Sequence, residues 1–425
     1  MKGGVFLTDY KSIIEEIIMA NPCYNCKNPR CVAACPINQS IPTFIDLLKK
    51  KEYSSAYQTI TSKSYLPSLC GLLCPHEKQC EGHCIKGIKN EPVSIGKLEA
   101  TIATMFDNHI IKVNDNLSKY TFGIIGGGIA GITAALELAS FGGTVSIYEK
   151  NSSIGGAVKQ SIPNFRFNDG VIEKISNNLK DLGVKIYYNQ EFGNNLKMEN
   201  LTNFDYILFG LGTMIEKSNF GISPNVYTGC SILNEYKETG KLPKGQTCLV
   251  IGAGNVAMDV SRAFARSGCD TTIVYRRTLN LSPALKKEIE DAKANGVKFL
   301  ELANPVEPVY NNQKLVGLKV EIMNLSSELD SSGRSKIVST GNMIIIPTDL
   351  IIEAIGSLPD YKYFLELGLP IFENGWIKRN NEMNFANFNN YYFIGDFVNG
   401  PTTVVNAMKS AMEAVEDIKR KLKVE

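Results

Sequence analysis

Residues 120–150 read YTFGIIGGGIAGITAALELASFGGTVSIYEK. An apolar run is followed by a glycine turn, then by a helix pattern with Ile132, Ala135, Leu136 and Ala139 on one face. Gly142-Gly143 stops the helix and a second apolar run follows, so the stretch reads as a βαβ unit. Gly126, Gly128 and Gly131 fit GxGxxG directly after the first strand, and Glu149 closes the second. In that context Gly126 makes the tight turn, Gly128 lets a pyrophosphate approach the backbone, and Gly131 lets helix and strand pack closely. The phosphates would rest on the free N–H groups of the helix N-terminus. Glu149 would accept from the ribose hydroxyls of a dinucleotide.

The pattern recurs at residues 246–277, QTCLVIGAGNVAMDVSRAFARSGCDTTIVYRR. Gly252 and Gly254 open the turn, and Ala257 stands in place of the third glycine. The second strand ends in Arg276 and Arg277 where an NAD-selective site would carry an acid. Guanidinium groups there suit the 2′-phosphate of NADPH; a solvated arginine pair beside an NADH site is the alternative. One flavin site and one nicotinamide site make an arrangement for hydride transfer, in which the cofactors carry the chemistry. The chain has only three histidines, His76, His83 and His109, which argues against histidine-based acid–base or nucleophilic catalysis. Near the end, residues 389–422 give a short strand, a Gly395-Asp396 corner and a helix after Pro401, with an apolar stripe at Val404, Met408, Ala411, Val415 and Ile418. The Asp396 carboxylate would meet the flavin ribityl hydroxyls, a plain capping aspartate being the alternative, and the helix N-terminus would face the flavin pyrimidine.

Outward toward the N-terminus the texture changes. Up to residue 117 there is no strand-like alternation; Ile41, Phe44, Ile45 and Leu48 recur at helical spacing between cysteine loops. Eight of the eleven cysteines lie between Cys23 and Cys84. Cys23, Cys26, Cys31 and Cys35-Pro36 form C-x2-C-x4-C-x3-C-P, and Cys74, Cys80 and Cys84 follow. Such runs are an iron–sulfur signature in which the last cysteine serves a second cluster. Structural zinc, the competing use, often employs paired CxxC knuckles, and only one CxxC is present. The N-terminus interrupts its apolar residues with Asp9, Lys11, Glu15 and Glu16, unlike a signal peptide, and no run of apolar residues is long enough to span a bilayer. A cytoplasmic location is therefore expected, where clustered thiols mean metal or redox chemistry rather than disulfides. The net charge of +2, with both signs interspersed, points to neither nucleic acid nor membrane as a partner.

Taken together, CYNCKNPRCVAACPINQSIP, CPHEKQCEGHC, VSIGKLEA, GGGIAG, IGGAVKQSIPNFRF, GAGNVAMD, VYRR, LIIEAIGSLPD and IGDFVNGPTTVVNAM resemble a known family over nearly the whole chain. It is the FAD, NADPH and iron–sulfur module shared by the glutamate synthase small subunit, the N-terminal half of dihydropyrimidine dehydrogenase and NADH-dependent ferredoxin:NADP oxidoreductase. Departures are small: Ser161 and Ala411 stand where that family usually has glycine. The resemblance implies one [4Fe–4S] cluster on Cys23, Cys26, Cys31 and Cys84, and another on Cys35, Cys74, Cys80 and Glu99, with Cys70 left as a core thiol. It implies FAD contacts at Gly126, Gly128, Ala130, Gly131, Glu149, Lys150, Gly156, Gly212, Gly395, Asp396, Thr402, Thr403 and Val404. NADPH contacts are expected at Gly252, Gly254, Asn255, Val256, Ala257, Arg276, Arg277 and Gly356.

The expected fold is α/β. A helical iron–sulfur domain (1–117) precedes an FAD domain (118–228 and 347–425) into which an NADPH domain (229–346) is inserted. The expected activity is hydride transfer from NADPH, with NADH possible, to FAD, and release of single electrons through two clusters. The recipient would be an FMN-containing large subunit, as in glutamate synthase or dihydropyrimidine dehydrogenase, or ferredoxin. A flavoprotein scaffold without turnover is the non-enzymatic alternative.

Overall fold

A computed structural model describes residues 7–107, 109–330, 333–367, 372–373, 376–380 and 383–424. The first six residues, on which part of the leader-peptide reading rests, lie outside this set. Among the described residues no helix is long and apolar enough to cross a membrane.

The chain folds as two compact units. One comprises Met1–Lys159, Asn168–Met214 and Pro359–Glu425; the other comprises Gln160–Phe167 and Ile215–Leu358. Positions 228/229 and 346/347, the expected domain boundaries, both fall within the range of the second unit.

The first unit begins with helices. Ile41–Lys49 buries Ile41, Phe44, Ile45 and Leu48, the four residues at helical spacing. They share a core with Ile14, Tyr57, Leu98 and Ile102, and Cys31 and Cys80 are part of the same cluster. Among the described residues no strand precedes Thr121, where the parallel sheet starts. Its order is Ala386–Phe388, Tyr391–Phe393, Tyr206–Phe209, Thr121–Ile125, Thr144–Tyr148, Lys185–Tyr187, antiparallel only at the first pair. The glycine turn thus leaves the sheet from the strand between Tyr206–Phe209 and Thr144–Tyr148. The helix Ile129–Ser140 is buried along all twelve residues, not on one face alone as its pattern predicts. The long C-terminal helix Val404–Leu422 supplies part of the cover, since Lys419 Nζ reaches Glu137 Oε1 at 3.1 Å.

In the second unit the order is Val226–Thr228, Leu350–Glu353, Thr247–Ile251, Asp270–Tyr275, Lys298–Glu301, all parallel. Both faces are covered, which is why these strands read as unbroken apolar runs. Cys248, Val250 and Ile273 pack with Ala257, Met258 and Phe264. Leu249, Ile251 and Val274 pack with Leu315, Leu318 and Val320 of an antiparallel meander. That meander runs Ala303–Asn311, Lys314–Leu329, Ser335–Pro347.

Candidate flavin, nucleotide and cluster sites

The two glycine turns are built alike. Gly126 takes φ +103°, and a Cβ there would stand 2.4 Å from the Gly210 carbonyl oxygen. Gly252 takes φ +114°, and its Cβ would stand 2.3 Å from the oxygen of Ala354. A side chain at either position would be strained and would collide with the neighbouring strand's exit. Gly131 is fixed by packing, since its Cβ would lie 2.0 Å from the Gly126 oxygen. Ala257, at the matching place in the second unit, is fully buried with its methyl group accommodated.

The middle glycines differ in kind. A Cβ on Gly128 would meet nothing nearer than the Gly156 Cα at 3.9 Å, and one on Gly254 nothing nearer than Pro283 Cγ at 4.0 Å. These two are not demanded by the protein's own packing, so they leave room for a ligand's approach. Gly128 and Gly254 are also the N-caps of Ile129–Ser140 and Asn255–Arg266, and neither helix start is capped by a side chain. Their first N–H groups are therefore available to phosphate oxygens. A second pair matches as well: Gly212 (φ +68°) and Gly356 (φ +102°) each lie two residues past the carbonyl against the turn, with open space where a Cβ would be.

Glu149 is buried, and its carboxylate accepts from Gly127 N at 2.8 Å and from Asn151 N and Nδ2 at 2.9 and 2.7 Å. It is thus rigidly held beside the turn, and a carboxylate has acceptor capacity beyond these bonds. Lys150 is exposed, with Nζ 3.8 Å from Met214 Sδ. Gly395 closes over the same turn: at φ +66° its Cβ would be 2.7 Å from the Ala130 methyl. Asp396 Oδ1 accepts from Thr402 N at 3.1 Å and from Thr402 Oγ1 at 2.5 Å. Burial pushes the Asp396 carboxyl up, and the Thr402 bonds oppose that shift. Thr403 caps the C-terminal helix by accepting from Asn406 N at 3.3 Å, and Val404 begins it.

In the second unit Asn255 Oδ1 accepts from Leu285 N at 3.1 Å, so residues 282–285 fold across the turn. Val256 lies under Gly229, whose Cβ would be 3.0 Å from Val256 Cγ1. The two adjacent arginines part ways. Arg276 is exposed. Arg277 is buried, paired with Asp330, and donates from Nε to the Ser335 carbonyl at 3.2 Å. It ties the turn between the two long meander strands to the end of Asp270–Tyr275.

The cysteines surround two cavities. Cys23, Cys26, Cys31 and Cys84 line one of about 390 Å³, part of it open to solvent, whose walls are otherwise largely apolar. Cys35, Cys74, Cys80 and Glu99 line another of about 340 Å³. Among the described residues no three His, Cys, Asp or Glu side chains are arranged to hold a single metal ion. Four donors face each cavity, all of them thiols in one and three thiols with a carboxylate in the other, and such a donor set fits a polynuclear thiolate-bound cluster. Burial pushes the Cys31 thiol up to about 11, with Cys23, Cys84 and Cys26 adding to the shift. Burial pushes Cys35 and Cys80 up as well, and Glu99 adds to both. The Glu99 carboxyl is itself raised by burial to about 8, against a hydrogen bond from Gln39. Such groups repel one another when ionised, and a cationic metal core relieves that repulsion.

Several lining residues escape a reading of the sequence. Cys70, expected to be a core thiol outside the ligand scheme, lines the second cavity, one helical turn before Cys74. Its Sγ lies 3.5 Å from Met408 Sδ. His76 lines it too, with Nδ1 3.3 Å from Cys80 Sγ and Nε2 3.1 Å from the Gly71 oxygen. The i, i+4 spacing of Cys70 and Cys74 could have signalled the first; nothing local signals the second. Val405, beside the flavin-turn segment, lines this cavity, whereas Ile41 and Ile95 line both.

Comparison with known proteins agrees with this division. Residues 7–111 match the family described as dihydropyrimidine dehydrogenase domain II, 4Fe-4S cluster. A putative oxidoreductase, YgfK of Escherichia coli, is 32% identical over 412 residues, covering 93% of this chain, and the chain spans 38% of that protein's length. The glutamate synthase [NADPH] small chain of Azospirillum brasilense is 27% identical over 423 residues, covering 94% of this chain and 87% of the relative. Among solved structures, Mycobacterium tuberculosis FprA in complex with NADPH shares the fold, with a TM-score of 0.58 at 18% identity over 72% of this chain and 85% of that one. Residues 120–411 match the pyridine nucleotide-disulphide oxidoreductase family, and since that span is more than half of the chain, the protein belongs to this family, with a domain of the 4Fe-4S type ahead of it.

Proposed function

We propose that the chain is an electron-input module: an NADPH-dependent flavin and iron–sulfur oxidoreductase that delivers single electrons to a partner. The observation that carries this reading is the sorting of the thiols into two separate cavities, Cys23, Cys26, Cys31 and Cys84 around one and Cys35, Cys74, Cys80 with Glu99 around the other. When bound, FAD supplies the exchange between a two-electron hydride donor and one-electron carriers, and the clusters supply one-electron conduction.

The chain's own residues would act as follows. Gly126, Gly128 and Gly131 admit the FAD pyrophosphate to the helix start, and Glu149 orients the ribose. Asp396, held by Thr402, meets the ribityl chain. Gly252 and Gly254 do the same for the nicotinamide dinucleotide, with exposed Arg276 offered to its 2′-phosphate. Val405 joins the flavin side to the cavity of Cys35, Cys74 and Cys80, and Ile41 and Ile95 form a wall common to both cavities. That supports an order in which the cavity holding Cys23 is the outer one. Residues 1–117 then carry the cluster duties, the rest of the first unit the FAD duties, and the second unit, Gln160–Phe167 with Ile215–Leu358, the NADPH duties.

The partner is a larger FMN-containing catalytic subunit of glutamate-synthase type, or ferredoxin. The match of residues 7–111 to dihydropyrimidine dehydrogenase domain II favours a dihydropyrimidine-reducing subunit as the second reading. No disulfide joins any of the eleven cysteines, in keeping with the reducing, cytoplasmic location we propose. The test is composition and turnover of anaerobically purified protein. About eight irons and one flavin per chain, with NADPH reducing a viologen dye, are expected; a colourless, iron-free protein that folds would remove the reading.

A further inference from the structure

The outer cavity opens at a surface whose charge departs from that of the chain. Overall 45 basic residues nearly balance 43 acidic ones. The two segments that bring its thiols together are one-sided. Pro22–Cys31 contains Lys27 and Arg30 and no acid; His83–Asn90 contains Lys86 and Lys89 and no acid. Lys27, Arg30, His83 and Lys89 are exposed. Lys86 is buried, donating to the Pro22 carbonyl at 3.1 Å with its ammonium 5.2 Å from the centre of the Tyr24 ring. Two bordering acids, Glu81 and exposed Glu91, offset part of this charge, leaving the four cations Lys27, Arg30, Lys86 and Lys89 in excess.

Apolar groups stand among these charges. Tyr24 is 61% exposed, Ile85 37% and Ile88 71%. Tyr24 and Ile85 line the cavity itself. Three of the four outer thiols, Cys23, Cys26 and Cys84, are half-buried and Cys31 is buried; in the inner cavity Cys35 is half-buried and Cys74 and Cys80 are buried. An apolar centre with a basic rim, directly over half-exposed thiols, has the composition of a small transient docking face.

We propose that this mouth is the docking surface for a small acidic one-electron carrier protein. The inference rests on the electron-input reading above and adds where the partner sits and what charge it bears. Complementary charge raises the encounter rate and turns the carrier toward the cavity, while the small apolar centre allows rapid release. The balance is NADPH + 2 carrier(oxidised) → NADP⁺ + 2 carrier(reduced) + H⁺, each carrier taking one electron.

The test uses the holoenzyme with NADPH, a strongly acidic ferredoxin as carrier probe, a basic cytochrome c as the opposite-charge probe, and benzyl viologen as a dye that needs no docking. Lys27→Glu/Lys89→Glu is expected to lower kcat/KM for the ferredoxin by about tenfold or more. Added salt is expected to lower the wild-type value similarly. Dye reduction should hold in the variant, and Lys180→Glu, on the separate helix Gly170–Asp181, should change nothing. Ferredoxin reduction untouched by the double reversal, or faster reduction of the basic cytochrome at low salt, would overturn the docking surface. Failure of NADPH to reduce even the dye in iron- and flavin-loaded protein would overturn the electron-input reading and the surface with it.

Discussion

Single residues in this protein separate into those the fold needs and those it leaves for a ligand. Gly131 and Gly128 lie three positions apart in one motif, yet a Cβ would collide at 2.0 Å on the first and meet only a 3.9 Å contact on the second. Gly131→Ala is therefore expected to destabilise the fold by about 1–3 kcal/mol through overpacking. Gly128→Ala is expected to leave the unfolding midpoint nearly unchanged but to empty the protein of flavin, read from its absorbance. The arginines separate in the same way. Arg276→Glu should raise the KM for NADPH by about tenfold or more and leave that for NADH alone, because a charge-assisted contact to phosphate is lost. Arg277→Met should instead lower stability, since it removes the buried guanidinium that pairs with Asp330 and donates to the Ser335 carbonyl. The adjacency of the two was plain in the sequence, but their division was not: Asp330 lies 53 positions away. The run Cys23, Cys26, Cys31 and Cys35 was legible because its spacing is local, whereas its sorting with the distant Cys74, Cys80 and Cys84 into two sets came from the family resemblance alone; the place of His76 depends on Gly96, where a Cβ would be 2.2 Å from the imidazole.

Between elements, two buried ionic contacts matter most. Glu137 on Ile129–Ser140 pairs with Lys419 on the C-terminal helix. Burial raises the Glu137 carboxyl from 4.5 to about 7, with Lys419 opposing. A carboxyl raised on folding favours the native state most when protonated, so its contribution is full below about 4.5 and declines as pH rises through 7. Glu137→Gln should remove that decline, and denaturation midpoints between pH 5 and 8 should then fall less than in the wild type. The second contact is the strap Gln160–Phe167. Arg166 pairs with Asp259 at 2.5 Å and with Glu288 at 2.9 Å, and Phe165 stacks under Arg262 and Arg266. Arg166→Met leaves two buried carboxylates short of a partner and should cost about 3–5 kcal/mol in denaturant unfolding. The sequence motif showed that this strap was a feature, but not that it belongs with the second unit, because its ionic partners Asp259 and Glu288 lie 93 or more positions along the chain.

For the molecule as a whole, both parallel sheets were legible from their glycine turns, since strand, turn and helix are contiguous. The long meander was not foreseen; its apolar residues lie in separate strands whose pairing is non-local. The cluster region was legible as helices and thiols, and the arrangement lines two cavities with the two thiol groups that the family resemblance implied. Replacing Cys84 or Cys74 by serine should therefore remove about half of the iron in each case rather than all of it, as metal analysis would read.

The most direct measurement is an anaerobic titration of the reconstituted protein with NADPH, following flavin absorbance together with the electron paramagnetic resonance of the iron. Bleaching of the flavin accompanied by signals of reduced clusters is the expected result. A bleached flavin with iron that stays oxidised under excess NADPH would contradict the account.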